Sequence, residues 1–156
     1  MPLFSYADIH AMLPHRYPML MVDAVLSMEP RESIVAIKCV TGNEPCYAQL
    51  PDGASLRQMA YPTSLIVESF SQAGAILWAH DKPTDRNHTV LMFGMAKDCV
   101  FEREVFPGDT MEHRVRLEHA MADGLVLSGE TWVGNTRVAR LGWLMGVARP
   151  SDALAR

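Results

Sequence analysis

The chain is poor in everything that would build a metal or redox centre. Its three cysteines, Cys39, Cys46 and Cys99, share no CxxC spacing and read as reduced thiols of an intracellular protein. The histidines (His10, His15, His80, His88, His113 and His119) form no HxxxH or HExxH pair, so no metal site is expected. Positive charge is also short: 14 Lys and Arg stand against 18 Asp and Glu, for a net charge of −4. That balance excludes a global field recruiting nucleic acid or anionic membrane, and leaves any acidic partner to a local patch. There is no signal peptide and no apolar run of the roughly 18 residues that a membrane span needs, so a cytoplasmic protein with no membrane contact is expected. Internal repeats and low-complexity tracts are absent as well.

What the 156 residues do contain is one long, mostly apolar stretch, Tyr61–His80, that reads as a helix. Pro62 suits a helix start, and Thr63 or Ser64 can cap the first turn. Leu65, Ile66, Val67, Phe70, Ala73, Ala75, Ile76, Leu77 and Trp78 leave almost no polar face, which predicts a core helix. Its first half carries a single carboxylate, Glu68, with Gln72 four residues on and therefore within hydrogen-bonding reach. A carboxylate on a buried helix is rare unless paired or functional. Desolvation disfavours the charged form of such a group, which suits proton transfer near neutral pH. The other reading is a structural Glu satisfied by Gln72 or by backbone donors.

The length predicts one domain over residues 1–149, with 150–156 a loose tail. Before the long helix come a short helix at Tyr6–Leu13 and a strand at Met19–Met28, whose hairpin partner is Ser33–Val40. Thr41–Ala60 reads as a long irregular segment, a length that in a small domain points to function. After the helix a polar linker, Asp81–His88, leads to strands at Thr89–Phe101, Asp109–Met121, Leu125–Val133 and Arg137–Ala148. The expected fold is therefore α+β, an antiparallel sheet wrapped around one long buried helix. Such a sheet leaves an open edge and an open helix side for a second copy or a relative to cover. Methionine is abundant, at 11 residues. Met12, Met19, Met21, Met92 and Met95 are either core filler or the lining of a channel for a flexible chain.

Four stretches resemble one family. Leu13-Pro14-His15-Arg16-Tyr17-Pro18 with Leu20 and Val22-Asp23, then Val40-Thr41-Gly42-Asn43-Glu44-Pro45, then Leu65-Ile66-Val67-Glu68 with Gln72-Ala73, and last Phe106-Pro107-Gly108-Asp109, occur in the order found in the FabZ-type 3-hydroxyacyl-[acyl carrier protein] dehydratases. The resemblance implies a hot-dog fold and loss of water from a 3-hydroxyacyl thioester to give a trans-2-enoyl chain. It implies no cofactor beyond the phosphopantetheine arm that carries the substrate, an acyl carrier protein as partner, and a dimer. Glu68 matches the family's catalytic glutamate, which one subunit lends to the other. The family's catalytic histidine has no counterpart: Ala48-Gln49-Leu50-Pro51 stands in place of its glycine–histidine–phenylalanine–proline run. Gln49 cannot exchange a proton near neutral pH. Thr63 occupies the place of a glycine whose N–H faces the thioester carbonyl, and at a helix N-terminus it can still offer that N–H. Gln72, Thr63 and Tyr47 are the expected substrate-binding residues. His15 is the candidate to replace the lost base, but as part of the family's own opening motif it is expected to be structural, and Cys46 to be a packing residue without a cation to ionise it. Arg57, Arg103, Arg114, Arg116, Arg137 and Arg140 could supply a local patch for an acidic carrier or its phosphate.

Three functions follow. The first is a dehydratase subunit of fatty-acid, polyketide or polyene synthesis, inactive as a homodimer and completed by a related histidine-bearing subunit in a heterodimer. The second is a non-catalytic subunit that binds an acyl chain or acts as a scaffold. The third is a hot-dog acyl thioesterase in which Glu68 activates water.

Overall fold

The structure, a computed structural model, describes residues 1–80 and 89–150. The chain order is α1 (Tyr6–Met12), β1 (Ala24–Glu29), β2 (Ser33–Cys39), α2 (Thr63–His80), β3 (Thr89–Phe101), β4 (Thr110–Met121), β5 (Gly124–Val133) and β6 (Thr136–Pro150). All six strands join one antiparallel sheet in the order β1-β2-β4-β5-β6-β3. The sheet curls over α2 as the sequence pattern predicts.

The core lies between them. Phe70, Ala73, Ile76 and Leu77 of α2 pack on Val25, Ile34, Ala36, Val115, Leu125, Leu127, Leu141 and Leu144 of the sheet. Alternation along β2 puts Ile34 and Ala36 inward, which sets the register of the whole sheet because a one-residue slip would expose them. Gly74 marks the closest approach: a Cβ there would run into the Leu127 side chain. That contact accounts for a residue that by itself weakens a helix interior by about 1 kcal/mol relative to Ala.

A polar trio, Ser69, His113 and Thr131, is locked inside this apolar layer. His113 of β4 is fully buried, bridging Ser69 Oγ of α2 and Thr131 Oγ1 of β5 at 2.9 Å each, with the Phe70 ring edge-on to the imidazole. Burial pushes its pKa down to about 3, so the ring is neutral and pins helix to sheet by hydrogen bonds alone.

The boundaries differ from the sequence reading at several points. The strand expected from Met19 starts only at Ala24, because the backbone at Met19 and Met21 bonds the side chain of Gln72 instead of a neighbouring strand. Helix α2 starts at Thr63 rather than Tyr61. The Pro62 carbonyl takes its first bonds, so Thr63 and Ser64 lie inside the first turn and do not cap it. The segment 41–60 is not wholly irregular: it contains 3-10 turns at Pro45–Tyr47 and Leu56–Met59. A lysine the pattern reading passed over, Lys38, points inward at the end of β2. It is neutralised by Glu44 at 2.6 Å, which ties this segment to the sheet. Pro150, assigned to the tail, is the last residue of β6 and pairs with Thr89. The rest of the tail and the Asp81–His88 linker lie outside the described residues.

Strand β3 forms one sheet edge and carries Met92, Phe93, Met95, Val100 and Phe101 exposed. At the opposite edge, β1 is partly covered by residues Leu3 and Phe4, whose backbones bond Val25.

The buried imidazole makes stability depend on pH. His113 has a folded-state pKa far below the unfolded value near 6.5, so its contribution is complete above about pH 6.5 and is lost as pH falls toward 3. The expected slope from this group is about 1.4 kcal/mol per pH unit between roughly pH 6 and 3. Urea unfolding across that range should show a shallower slope by this amount in His113→Gln.

Candidate functional site

Helix α2 presents two faces. Residues Ile66, Ser69, Phe70, Ala73, Ile76 and Leu77 point into the core, while Glu68, Ser71, Gln72 and Ala75, at i, i+3, i+4 and i+7, share a second face. That second face borders a cleft of about 110 Å³, lined opposite by Leu91, Met92 and Phe93 of β3, Leu125 and Leu127 of β5, and Leu144, Met145 and Gly146 of β6. His15, from the loop after α1, completes the rim.

Gln72 organises this face. It is buried, with 1% of its surface exposed, and uses both ends of its amide. Its Nε2 donates to the Met19 carbonyl at 2.6 Å and to Glu68 Oε1 at 2.8 Å, and its Oε1 accepts the Met21 N–H at 2.9 Å. This set of partners allows only one orientation of the amide. It draws the chain leading from α1 to β1 across α2, and so carries His15 to the helix. The His15 Nε2 lies 3.6 Å from Glu68 Oε1. Arg16 holds the loop by donating to the carbonyls of Leu13 and His15 at 2.8 and 2.7 Å.

Glu68 is therefore not the core carboxylate expected from the helix pattern. Its side chain is 28% exposed, beside a His15 that is 25% exposed, because position 68 faces the cleft rather than the sheet. Its Oε2 has no hydrogen-bond partner among the described residues and is free to meet a ligand. The His15 pKa is lowered, chiefly by burial, with Glu68 opposing that shift and Arg16 adding to it. The imidazole is thus neutral near pH 7. Its Nδ1 is buried and finds no hydrogen-bond partner among the described residues.

The other expected site residues lie elsewhere in this chain. Gln49 is exposed and is not among the residues lining the cleft. Thr63 is exposed at the start of α2, beside a separate depression bordered by Tyr61, Phe101 and Arg103. Tyr47 packs against the cluster of Val40, Tyr61, Ile66 and Val105, with its hydroxyl buried and unpaired among the described residues, and burial pushes its pKa up to about 12. Burial and the Glu44 carboxylate push the Cys46 thiol pKa up, which favours the protonated thiol. Of the five methionines singled out, Met92 lines the cleft, Met21 is core, Met12 packs against the core, and Met19 and Met95 are exposed. Arg114 pairs with Glu112 and stacks on Trp132, while Arg137 pairs with Glu102 and Glu130. Arg114, Arg116 and Arg140 border a depression formed with Ser128 and Glu130, away from the cleft residues. Among the described residues no group of three His, Cys, Asp or Glu could hold a metal, and no helix is long and apolar enough to cross a membrane.

The residue the sequence reading set aside is His15. Its position 53 residues before Glu68 gives no helical or strand spacing to link them. Membership in the opening motif favours a structural role over that of a replacement base, and neither reading places the ring beside Glu68.

A six-stranded antiparallel sheet wrapped on one long helix, with a helix carboxylate at an apolar cleft, defines the hot-dog class. A solved hot-dog-like protein from Thermanaerovibrio acidaminovorans matches 95% of this chain and 92% of its own at a TM-score of 0.59 and 15% identity. The dehydratase heterocomplex ApeI:P from Xenorhabdus doucetiae matches 99% of this chain and 95% of its own at a TM-score of 0.77, also at 15% identity. The family model for the FabA-like domain matches residues 13–141, and the 3-hydroxyacyl-[acyl-carrier-protein] dehydratase FabZ of Burkholderia thailandensis is 41% identical over 115 residues, 71% of this chain and 69% of that protein. The chain belongs to the FabA-like, FabZ-related dehydratase family.

If the Gln72 amide holds both the rim loop and Glu68, Gln72→Met should lower unfolding free energy by about 1–3 kcal/mol, since the Met19 carbonyl and Met21 N–H lose their partner. Hydrogen exchange should then be faster at the Met21 amide.

Proposed function

We propose that this chain is a dehydratase subunit acting on 3-hydroxyacyl thioesters of acyl carrier protein, with Glu68 as its proton-transferring carboxylate. The observation that carries the reading is Glu68 itself, held by Gln72 at the open end of an apolar cleft with one oxygen free. The reaction takes a proton from C2, breaks the C3–O bond, forms the C2=C3 double bond and releases water once the leaving hydroxide is protonated. It therefore needs a base and an acid at one site. Glu68 is assigned the acid role because its side chain lines the cleft and its Oε2 has no hydrogen-bond partner among the described residues. The leucines and methionines of the cleft take the acyl chain, and no cofactor enters the balance.

The base comes from a second subunit. Gln49 has no proton to exchange near neutral pH, so a homodimer lacks the family's imidazole at both sites. A related subunit bearing the family's histidine restores it in a heterodimer, which would hold one competent and one incomplete site. The exposed apolar edge of β3 supports a paired state, since an unpaired edge of this length is otherwise an aggregation hazard. The solved neighbour from Xenorhabdus doucetiae is itself a dehydratase heterocomplex, which favours the same arrangement here. A scaffold subunit that only binds the acyl chain is the second reading, favoured by the exposed Gln49. It leaves the Gln72-held carboxylate without a purpose.

The test is loss of one water from a carrier-bound 3-hydroxyacyl chain, read by mass spectrometry. The chain alone should be silent, the mixture with a histidine-bearing relative should turn over, and Glu68→Gln should reduce that turnover by about 100-fold or more. Full activity of the mixed Glu68→Gln complex would leave the scaffold reading in its place.

A further inference from the structure

Dehydration leaves its two proton-handling groups in the wrong state. Each turnover gives the base a proton taken from C2 and strips the acid of the proton that departs in water. Glu68, as the acid, must be reloaded before the next cycle. On the dehydratase reading above, something beside it has to return that proton.

The cleft holds two titratable side chains among the described residues, Glu68 and His15. Their facing atoms, Oε1 and Nε2, are 3.6 Å apart, one water or one small side-chain movement from proton transfer. The backbone that carries His15 is held, because Arg16 donates to the carbonyls of Leu13 and of His15 itself and Gln72 binds the chain beyond at Met19 and Met21. The charged groups facing the imidazole are the Glu68 carboxylate from α2 and the Arg16 guanidinium from its own loop. The cleft walls opposite are apolar. Ser71 and Gln72, the other polar side chains at the cleft, do not titrate near neutral pH.

We propose that His15 is a proton relay to Glu68, taking a proton from solvent at the cleft rim and delivering it from Nε2 to Oε1 after each turnover. His15 acts through Glu68 and needs no contact with the substrate. The step moves one proton: the neutral ring takes a proton from solvent hydronium to become imidazolium, the N–H bond at Nε2 then breaks as an O–H bond forms on the Glu68 carboxylate, and the ring returns to its neutral form. The role is separate from that of the imidazole supplied by the second subunit, which takes the proton from C2.

Two measurements test it. The first uses the chain alone, without substrate: the His15 ring is titrated by NMR in the wild type and in Glu68→Gln. Because the Glu68 charge favours the imidazolium, the midpoint should move to lower pH in the variant. An unchanged midpoint would show that the two groups are not coupled and would overturn the relay. The second uses the active mixed complex. His15→Gln should lower kcat at least about tenfold with KM within about twofold, and free imidazole should restore part of the rate, an effect no packing role would produce. His15→Asn serves as the second variant, and thermal unfolding of both checks that the fold is kept. Full kcat in a folded His15 variant, or loss that imidazole does not rescue, would count against the relay. The two failures are distinguishable: if Glu68→Gln keeps full activity the dehydratase reading falls, whereas a dead Glu68→Gln beside a normal His15→Gln removes the relay alone.

Discussion

The structure depends most on a single buried amide. Gln72 makes three hydrogen bonds in a space from which water is excluded, and each joins a different part of the chain: the carbonyl of Met19, the N–H of Met21, and the carboxylate of Glu68. An unsatisfied amide at this depth would cost on the order of a few kcal/mol, so the loop from α1 to β1 has little freedom to leave the helix. Everything at the rim follows from that constraint. The start of β1 is delayed to Ala24, the Leu13–Pro18 motif lies over the helix, and His15 comes to rest beside Glu68.

Helix α2 separates its polar groups by direction. Ser69 faces inward and reaches His113, which is kept neutral by burial and joined to Thr131 on the next strand. Glu68, one residue earlier and 100° around the helix, faces the cleft and keeps one oxygen without a hydrogen-bond partner among the described residues. The inward group fixes the rotation of the helix about its axis, and the same rotation aims the outward one. Stability and chemistry thus share one element without sharing one face, and the closely packed Gly74–Leu127 contact keeps the helix at a set height above the sheet.

On the dehydratase reading proposed above, Glu68 supplies half of a proton-transfer site, because Gln49 stands where the family's run has its imidazole. The β3 edge beside it exposes Met92, Phe93 and Met95, an apolar surface that the second subunit of that reading would cover. Sites shared across an interface let related subunits diverge, since a residue lost in one can be kept in the other. On the proposed relay, His15 would add to that division of labour a group that serves the carboxylate from within its own chain.

Much of the architecture was legible without coordinates. The apolar run from Leu65 to Trp78 has one stable outcome in a protein this size, a core helix, and period-two alternation along Ser33–Cys39 could only be a strand with one buried face. The order of the motifs carried the family, and the Glu68–Gln72 bond follows from helical spacing alone. What the sequence determined, then, was everything governed by local periodicity. Tertiary structure decided which face of the helix Glu68 occupies, so that a residue on an apolar helix stands at a cleft rather than in the core. It also decided that Lys38 is buried against Glu44, and that Thr63, Tyr47 and Gln49 lie apart from Glu68 within one chain. Above all it placed His15 against Glu68, a contact between residues 53 positions apart that no periodicity encodes, made by an amide whose three partners come together only when the chain has folded.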